Sequence, residues 1–215
     1  MLQNTAYDKI VDEKSINPGF QMFEKRVSGM FLGEILRKAL QSLIREANLF
    51  AGHSSQALDN QYGIDTASMS TIAADSSPKL EEVHDVIVEY FGIPTPSLED
   101  CRAVKAVSDA IARRSARLAA CAVTAVCDFS GRFGRASEGR PVDVGADGSL
   151  VEFYPEYVPM CLEACDEILG TRASKKIRIG LAKDGSGVGA ALYHPLRPPP
   201  IRLSCSRFVV ASADN

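Results

Sequence analysis

The stretch from residue 20 to residue 48 most limits what this chain can fold into. Ser28-Gly29 lies inside it and predicts that the helix weakens or kinks there. That glycine has two open interpretations: it lets another backbone approach closely, or it marks a functional break. The stretch otherwise predicts one long amphipathic helix, because its apolar residues recur at intervals of three and four. These residues are Phe23, Val27, Met30, Phe31, Ile35, Leu36, Leu40, Leu43 and Ile44.

Two further helices are predicted in the middle of the chain. The segment from Pro78 to Gly92 is amphipathic and ends in glycine followed by Ile-Pro, which is typical of a helix terminus. Ser97 with Asp100 resembles a capping box and predicts a helix running to about Val126, whose small and apolar residues indicate burial. Residues 51–75 are rich in Ser, Ala, Gly and Asn, and predict a loop or a short strand-and-turn region.

The pattern after residue 140 indicates strands as well as helices. Alternating residues on both sides of Asp147-Gly148 predict a β-hairpin over residues 141–153. An amphipathic helix is predicted from Pro155 to Leu169, followed by a strand over residues 175–182. This order of elements favours an α/β layered fold.

Composition narrows the choice of partners and compartment. The chain has 24 Lys+Arg against 27 Asp+Glu, a net charge of -3, so it lacks the basic surface that nucleic acids or anionic membranes attract. No apolar run is long enough to span a membrane and no secretory leader is evident, which favours a cytoplasmic location. The six cysteines are interpreted as free, mostly buried thiols: Cys101, Cys121, Cys127, Cys161, Cys165 and Cys205.

A glycine-rich segment and an unusual tail close the chain. Glycines at alternate positions in residues 183–191 favour either a plain tight turn or a turn whose amides face an anion. The segment has the letters of G-x-G-x-x-A, but it lacks the following βαβ unit and the Lys-Ser/Thr of a Walker A loop. Three consecutive prolines after residue 197 predict a disordered tail, in preference to a polyproline ligand.

Residues 15–34 closely resemble the hexokinase and glucokinase family in its fungal form; they read Ser-Ile-Asn-Pro-Gly-Phe-Gln-Met-Phe-Glu-Lys-Arg-Val-Ser-Gly-Met-Phe-Leu-Gly-Glu. Three further segments are similar to the family and follow in its order. They are residues 111–121, residues 143–150 with Tyr154-Pro155 after them, and residues 184–191. The resemblance covers about residues 1–192. The abrupt change of composition afterwards suggests that residues 193–215 arise from intron read-through or a shifted frame.

This resemblance implies an α/β fold of the actin-like ATPase (ribonuclease H-like) type, specifically the second half of the family's large C-terminal lobe. Residues 1–192 would be a partial C-terminal domain and residues 193–215 an atypical tail. The implied activity is ATP-dependent phosphorylation of the hexose 6-hydroxyl, with glucose the expected sugar, as in the first step of glycolysis. ATP would carry Mg²⁺ with it.

The resemblance also assigns candidate binding residues. Glu24 matches a carboxylate that accepts hydrogen bonds from sugar hydroxyls, although beside Lys25 and Arg26 it also fits an exposed helix charge. The expected nucleotide contacts lie in three places. They are Gly29 and Met30 in the long helix, Thr66 and Ser70 in a strand-end Thr-x-x-x-Ser pattern, and the loop residues Gly185, Ser186, Gly187 and Gly189.

Several family motifs do not occur in these 215 residues. They are the Asp-x-Gly-Gly-Thr phosphate hairpin, the Asn-Asp-Thr segment that supplies the catalytic base, and the second sugar-binding Glu. No catalytic residue and no metal ligand is therefore assigned, and the chain alone is expected not to turn over. The alternatives are a non-catalytic module that binds sugar or nucleotide, and a truncated product without a stable fold.

Overall fold

Helices dominate the part of the chain that the computed structural model describes, which is residues 4–131, 141–170, 173–182 and 187–188. The helices are α1 (Ala6–Glu13), α2 (Glu24–Val27), α3 (Gly29–Ala47), α4 (Gln56–Asp59), α5 (Thr66–Ala74), α6 (Glu81–Glu89), α7 (Leu98–Phe129), α8 (Ser149–Phe153), α9 (Tyr157–Leu169) and α10 (Ala173–Lys176). The strands are β1 (Val142–Ala146) and β2 (Ile177–Leu181). The tail predicted at residues 193–215 lies outside the described residues.

The capping box predicted at Ser97 is confirmed, and α7 begins directly after it at Leu98. Ser97 and Asp100 form a full capping box, in which the Asp100 amide donates to the Ser97 hydroxyl at 3.1 Å. The Asp100 carboxylate also accepts the amide of Phe50 at 2.9 Å, which joins the start of α7 to the turn after α3. α7 extends to Phe129, slightly beyond the predicted end, and is the longest described element.

The core forms where α7 packs against its neighbours. α3, α5, α6 and α9 all contact α7, and the contact between α7 and α9 is the most extensive. Apolar side chains of α3, including the fully buried Leu32, Leu36 and Leu40, fill the main core. Among the residues described, no helix is both long and apolar enough to cross a membrane.

The predicted hairpin around Asp147-Gly148 is wrong. β1 pairs in parallel with β2, from Val142 opposite Ile177 to Ala146 opposite Leu181, and residues 149–153 are helical. A run of five residues is too short for periodicity to separate a strand from a single helical turn. Parallel strands also need a long crossover, here α8 to α10, so the true partner of β1 lies far along the sequence.

The loop predicted for residues 51–75 is partly wrong as well, because it contains α4 and α5. Ser55 caps α4, and Asp65 caps α5 by accepting the Ser68 amide at 2.9 Å. α5 is built almost entirely of small and apolar residues, so it lacks the polar face that would reveal a helix by periodicity.

Candidate functional site

Glu24 begins α2 with its side chain facing solvent. Its carboxylate has no hydrogen-bond or ion-pair partner in the described part of the chain. Its two basic neighbours do not share this exposure: only 3% of Lys25 and 7% of Arg26 is exposed. α2 therefore presents an unpaired carboxylate outward and turns both cations toward the protein.

Lys25 is held inside by two acceptors. Its Nζ donates to Asp12 Oδ1 at 2.7 Å and to the Asn17 carbonyl at 2.6 Å. Asp12 also accepts the Gly19 amide at 3.0 Å. The hydrogen bond from Lys25 lowers the pKa of Asp12, so this carboxylate is ionised at neutral pH.

The break predicted at Ser28-Gly29 is confirmed. α2 ends at Val27, Ser28 is extended with φ -76° and ψ 136°, and α3 begins at Gly29. The Ser28 hydroxyl accepts the Met30 amide at 3.4 Å. Two helices thus replace the single predicted one, and the N-terminus of the 19-residue α3 lies next to the end of α2.

A groove of about 400 Å³ lies at this N-terminus. One wall is the α2–α3 junction with Gly29 and Met30, and the other is the turn that leads into α8. The lining residues are Val27, Ser28, Gly29, Met30, Ala119, Asp147, Gly148, Ser149, Leu150, Val151 and Tyr157. Sequence reasoning missed the wall from Asp147 to Val151 because it assigned that segment to a hairpin. The Asp-Gly-Ser letters before an apolar run were the available helix-start signal.

Ser115 of α7 connects two residues that line the groove, Val27 and Tyr157. Its hydroxyl donates to the Val27 carbonyl at 3.1 Å and lies 2.7 Å from the Tyr157 hydroxyl. Burial raises the pKa of Tyr157 to about 12, so the phenol stays neutral. These contacts fix the end of α2 against α7 and α9.

Thr66 lies beside the groove, although at the first turn of α5, so the predicted strand-end position is wrong. Its hydroxyl donates to the Gly29 carbonyl and accepts the Gly33 amide at 3.0 Å. It is inserted between a carbonyl and an amide of the first turn of α3. Ser70 lies one turn further along α5, where its hydroxyl donates to the Thr66 carbonyl at 3.5 Å.

Replacing Thr66 with valine should lower the free energy of unfolding by about 1–2 kcal/mol, because the Gly29 carbonyl and the Gly33 amide lose their shared partner. Thr66→Ser keeps the hydroxyl and should retain most of that free energy. Urea unfolding followed by circular dichroism measures both. A loss in Thr66→Ser as large as that in Thr66→Val would mean that the hydroxyl contributes no more to stability than the methyl group.

Of the four candidate residues in the glycine-rich segment, the structure describes only Gly187. Gly185, Ser186 and Gly189 lie outside the described residues, and Gly187 is exposed. The nucleotide role expected for these four residues stays a prediction.

Cys101, Cys121, Cys161 and Cys165 are free thiols, as predicted, and all of them but Cys121 are buried, as is Cys127. Burial raises the pKa of Cys161 to about 12 and that of Cys165 to about 11, so neither thiol is an effective nucleophile at neutral pH. Within the described ranges, no three His, Cys, Asp or Glu side chains lie together as metal ligands would.

Comparison with known proteins gives one consistent result. A family model described as "Hexokinase" matches residues 1–196. The chain is 43% identical over 204 residues to a glucokinase of Aspergillus niger, covering 89% of this chain and 41% of that protein. It is 39% identical over 198 residues to Glucokinase-1 of Saccharomyces cerevisiae, covering 89% of this chain and 39% of the relative.

A solved structure is also similar. A Schistosoma mansoni hexokinase complexed with glucose superimposes with a TM-score of 0.76 at 29% identity, covering 87% of this chain and 40% of that one. This neighbour supports the predicted actin-like ATPase fold. The chain spans about two fifths of the length of the relatives it matches.

Proposed function

Because the chain belongs to the hexokinase family, we propose that it supplies part of the substrate site of an ATP:hexose 6-phosphotransferase, with glucose as the sugar. One observation carries the proposal: a single turn of helix, α2, separates the outward carboxylate of Glu24 from the groove at Gly29. A sugar at Glu24 and a nucleotide in the groove would therefore be neighbours, as phosphoryl transfer requires.

We assign the sugar end to Glu24. An ionised carboxylate accepts hydrogen bonds at both oxygens and donates none, which suits it to the hydroxyl groups of a hexose. Its lack of a partner among the described residues leaves both oxygens available. The other half of the sugar contacts would come from parts of the relatives that this chain does not span.

We assign the nucleotide end to the groove. The N-terminus of a 19-residue helix carries the positive end of the helix dipole, which favours phosphate. Gly29 fits this role, since a methyl group added there would have Leu150 Cβ at 3.7 Å as its nearest neighbour and would otherwise fill the groove. When bound, ATP supplies the phosphoryl group and carries Mg²⁺, for which we assign no ligand in this chain.

The remaining nucleotide residues are assigned by resemblance. We propose that Gly185, Ser186, Gly187 and Gly189 face the adenosine, and that Thr66 and Ser70 support the phosphate side from α5. Residues 1–192 form the family portion and residues 193–215 a separate tail. We place the protein in the cytoplasm. Because this chain lacks the phosphate hairpin and the catalytic base, we expect it to bind its ligands without transferring phosphate.

NMR titration of the full 215-residue chain with glucose, and separately with MgATP, tests these assignments. Glu24→Gln should weaken glucose binding about tenfold or more, because each sugar hydroxyl loses a charged acceptor. MgATP binding should change less than about twofold. Glu89→Gln, an exposed carboxylate at the end of α6, is the matched control.

The outcomes separate the candidate functions. Binding of both ligands, with sugar binding alone sensitive to Glu24, supports a kinase site. Binding of one ligand only would favour the sugar- or nucleotide-binding module. A folded chain that binds neither ligand would contradict the proposal.

A further inference from the structure

We infer that Lys25 is a positioning residue for the sugar site: its buried ion pair with Asp12 holds the loop before α2 and thereby directs the neighbouring Glu24 outward. This inference rests on the proposed sugar-binding role of Glu24. It concerns a residue whose own side chain faces away from the site.

The ion pair between Lys25 and Asp12 is largely removed from solvent. Lys25 is 3% exposed and Asp12 14% exposed, and their atoms are 2.7 Å apart. An ammonium group removed from water is stabilised by a countercharge and by hydrogen-bond acceptors. Asp12 and the Asn17 carbonyl provide two such acceptors, so the side chain has one well-defined orientation.

The ion pair connects α1 to α2. Asp12 belongs to the last turns of α1 and Lys25 to α2, so the pair closes the ten-residue loop 14–23 at its two ends. The Gly19 amide donates to the same carboxylate, at 3.0 Å to one oxygen and 3.1 Å to the other, and fixes the middle of the loop. Gly19 has φ +81°, which favours glycine at this turn.

The start of α2, where Glu24 lies, depends on the loop before it, because the Ser115 contact holds the other end of this helix at Val27. α2 has only four residues, and a single helical turn is not stable on its own. The loop before it exposes Ile16 and Phe20, which are 98% and 72% accessible and contribute little packing. The direction in which Glu24 points therefore depends on the inward anchoring of Lys25.

The test compares Lys25→Met with Lys9→Met, an exposed lysine of α1, in the full chain. Glucose binding by NMR titration should weaken about tenfold in Lys25→Met, because Glu24 is no longer held in one orientation. MgATP binding should stay within about twofold, since the groove is built by other residues. Hydrogen exchange of the Gly19 amide should accelerate in the same variant and in neither the control nor Glu24→Gln.

A second variant covers the case in which Lys25→Met does not fold. Asp12→Asn keeps an oxygen for the Gly19 amide and removes only the charge, and it should weaken glucose binding with the same selectivity. Glucose binding that is sensitive to Glu24→Gln but unchanged in the folded Lys25 and Asp12 variants would overturn the inference alone. Equal weakening of glucose and MgATP would also overturn it, because that is the result of a purely structural pair. Failure of the unmodified chain to bind glucose would instead contradict the proposed function and the inference together.

Discussion

Replacing Arg37 with methionine is expected to lower the free energy of unfolding by about 3–5 kcal/mol. Arg37 and Glu34 are each 1% exposed, and two hydrogen bonds of 2.5 and 2.7 Å join the guanidinium to the carboxylate. Removing the arginine leaves a buried carboxylate without its countercharge. It also leaves the Leu58 carbonyl without the Arg37 donor that lies 2.6 Å away.

A natural control for this substitution exists in the same chain. Glu99 and Arg102 have the same spacing and the same 2.5 Å separation, but their side chains are 80% and 55% exposed. Arg102→Met should therefore cost less than about 1 kcal/mol. Urea unfolding of the two variants measures the difference. Equal losses in the free energy of unfolding would show that burial does not determine how much an ion pair contributes to stability.

Gly33→Ala is expected to lower the free energy of unfolding by about 3 kcal/mol. A methyl group on Gly33 would lie 2.5 Å from the Ile64 carbonyl oxygen and 2.7 Å from the backbone carbon of Asp65. Both are backbone atoms, so relief requires α3 to move away from the start of α5. That movement would also separate Thr66 from the Gly33 amide.

Gly29→Ala is the matched control, one turn earlier in the same helix. Its added methyl group would meet only Leu150 Cβ, at an ordinary 3.7 Å, so stability should change by less than about 1 kcal/mol. Thermal melts of the two variants test the contrast. A Gly33→Ala protein as stable as the unmodified chain would contradict the close crossing of α3 and α5.

Elements with strong local signals could be predicted from the sequence. The break at Ser28-Gly29, the capping box at Ser97 and the strand near residue 177 depend on residues adjacent in sequence, and the structure has all three. The close backbone approach considered for Gly29 is instead found at Gly33, because nothing local to α3 reveals where α5 crosses it.

The errors have a common physical cause. The partner of β1 is 35 positions away, beyond an intervening helical crossover, so local alternation suggested the wrong pairing. Nothing adjacent in the sequence indicated that Lys25, Arg37 and Glu34 are buried, because the acceptors of Lys25 lie on other segments and the burial of the Arg37–Glu34 pair depends on packing. Periodicity describes one face of a helix, whereas the start of α3 is buried on all sides from Phe31 to Arg37.

The residues of the candidate site also differ in whether the sequence alone could identify them. Glu24, Gly29 and Met30 were identified by resemblance, and the structure places the two latter residues in one groove. Thr66 was expected near the nucleotide, and its contact with the first turn of α3 required the tertiary structure. The wall from Asp147 to Val151 could be assigned to the groove only after the fold had brought it there.

The most direct test of the account uses a chimera in which residues 1–192 replace the matching segment of the Aspergillus niger glucokinase. We expect ATP-dependent phosphorylation of glucose by the chimera. Glu24→Gln should lower kcat/KM for glucose by about tenfold to a hundredfold, and Glu89→Gln should leave it unchanged. A folded chimera that does not phosphorylate glucose, or whose activity is indifferent to Glu24→Gln, would contradict the proposal that this chain carries the sugar-facing part of a hexokinase site.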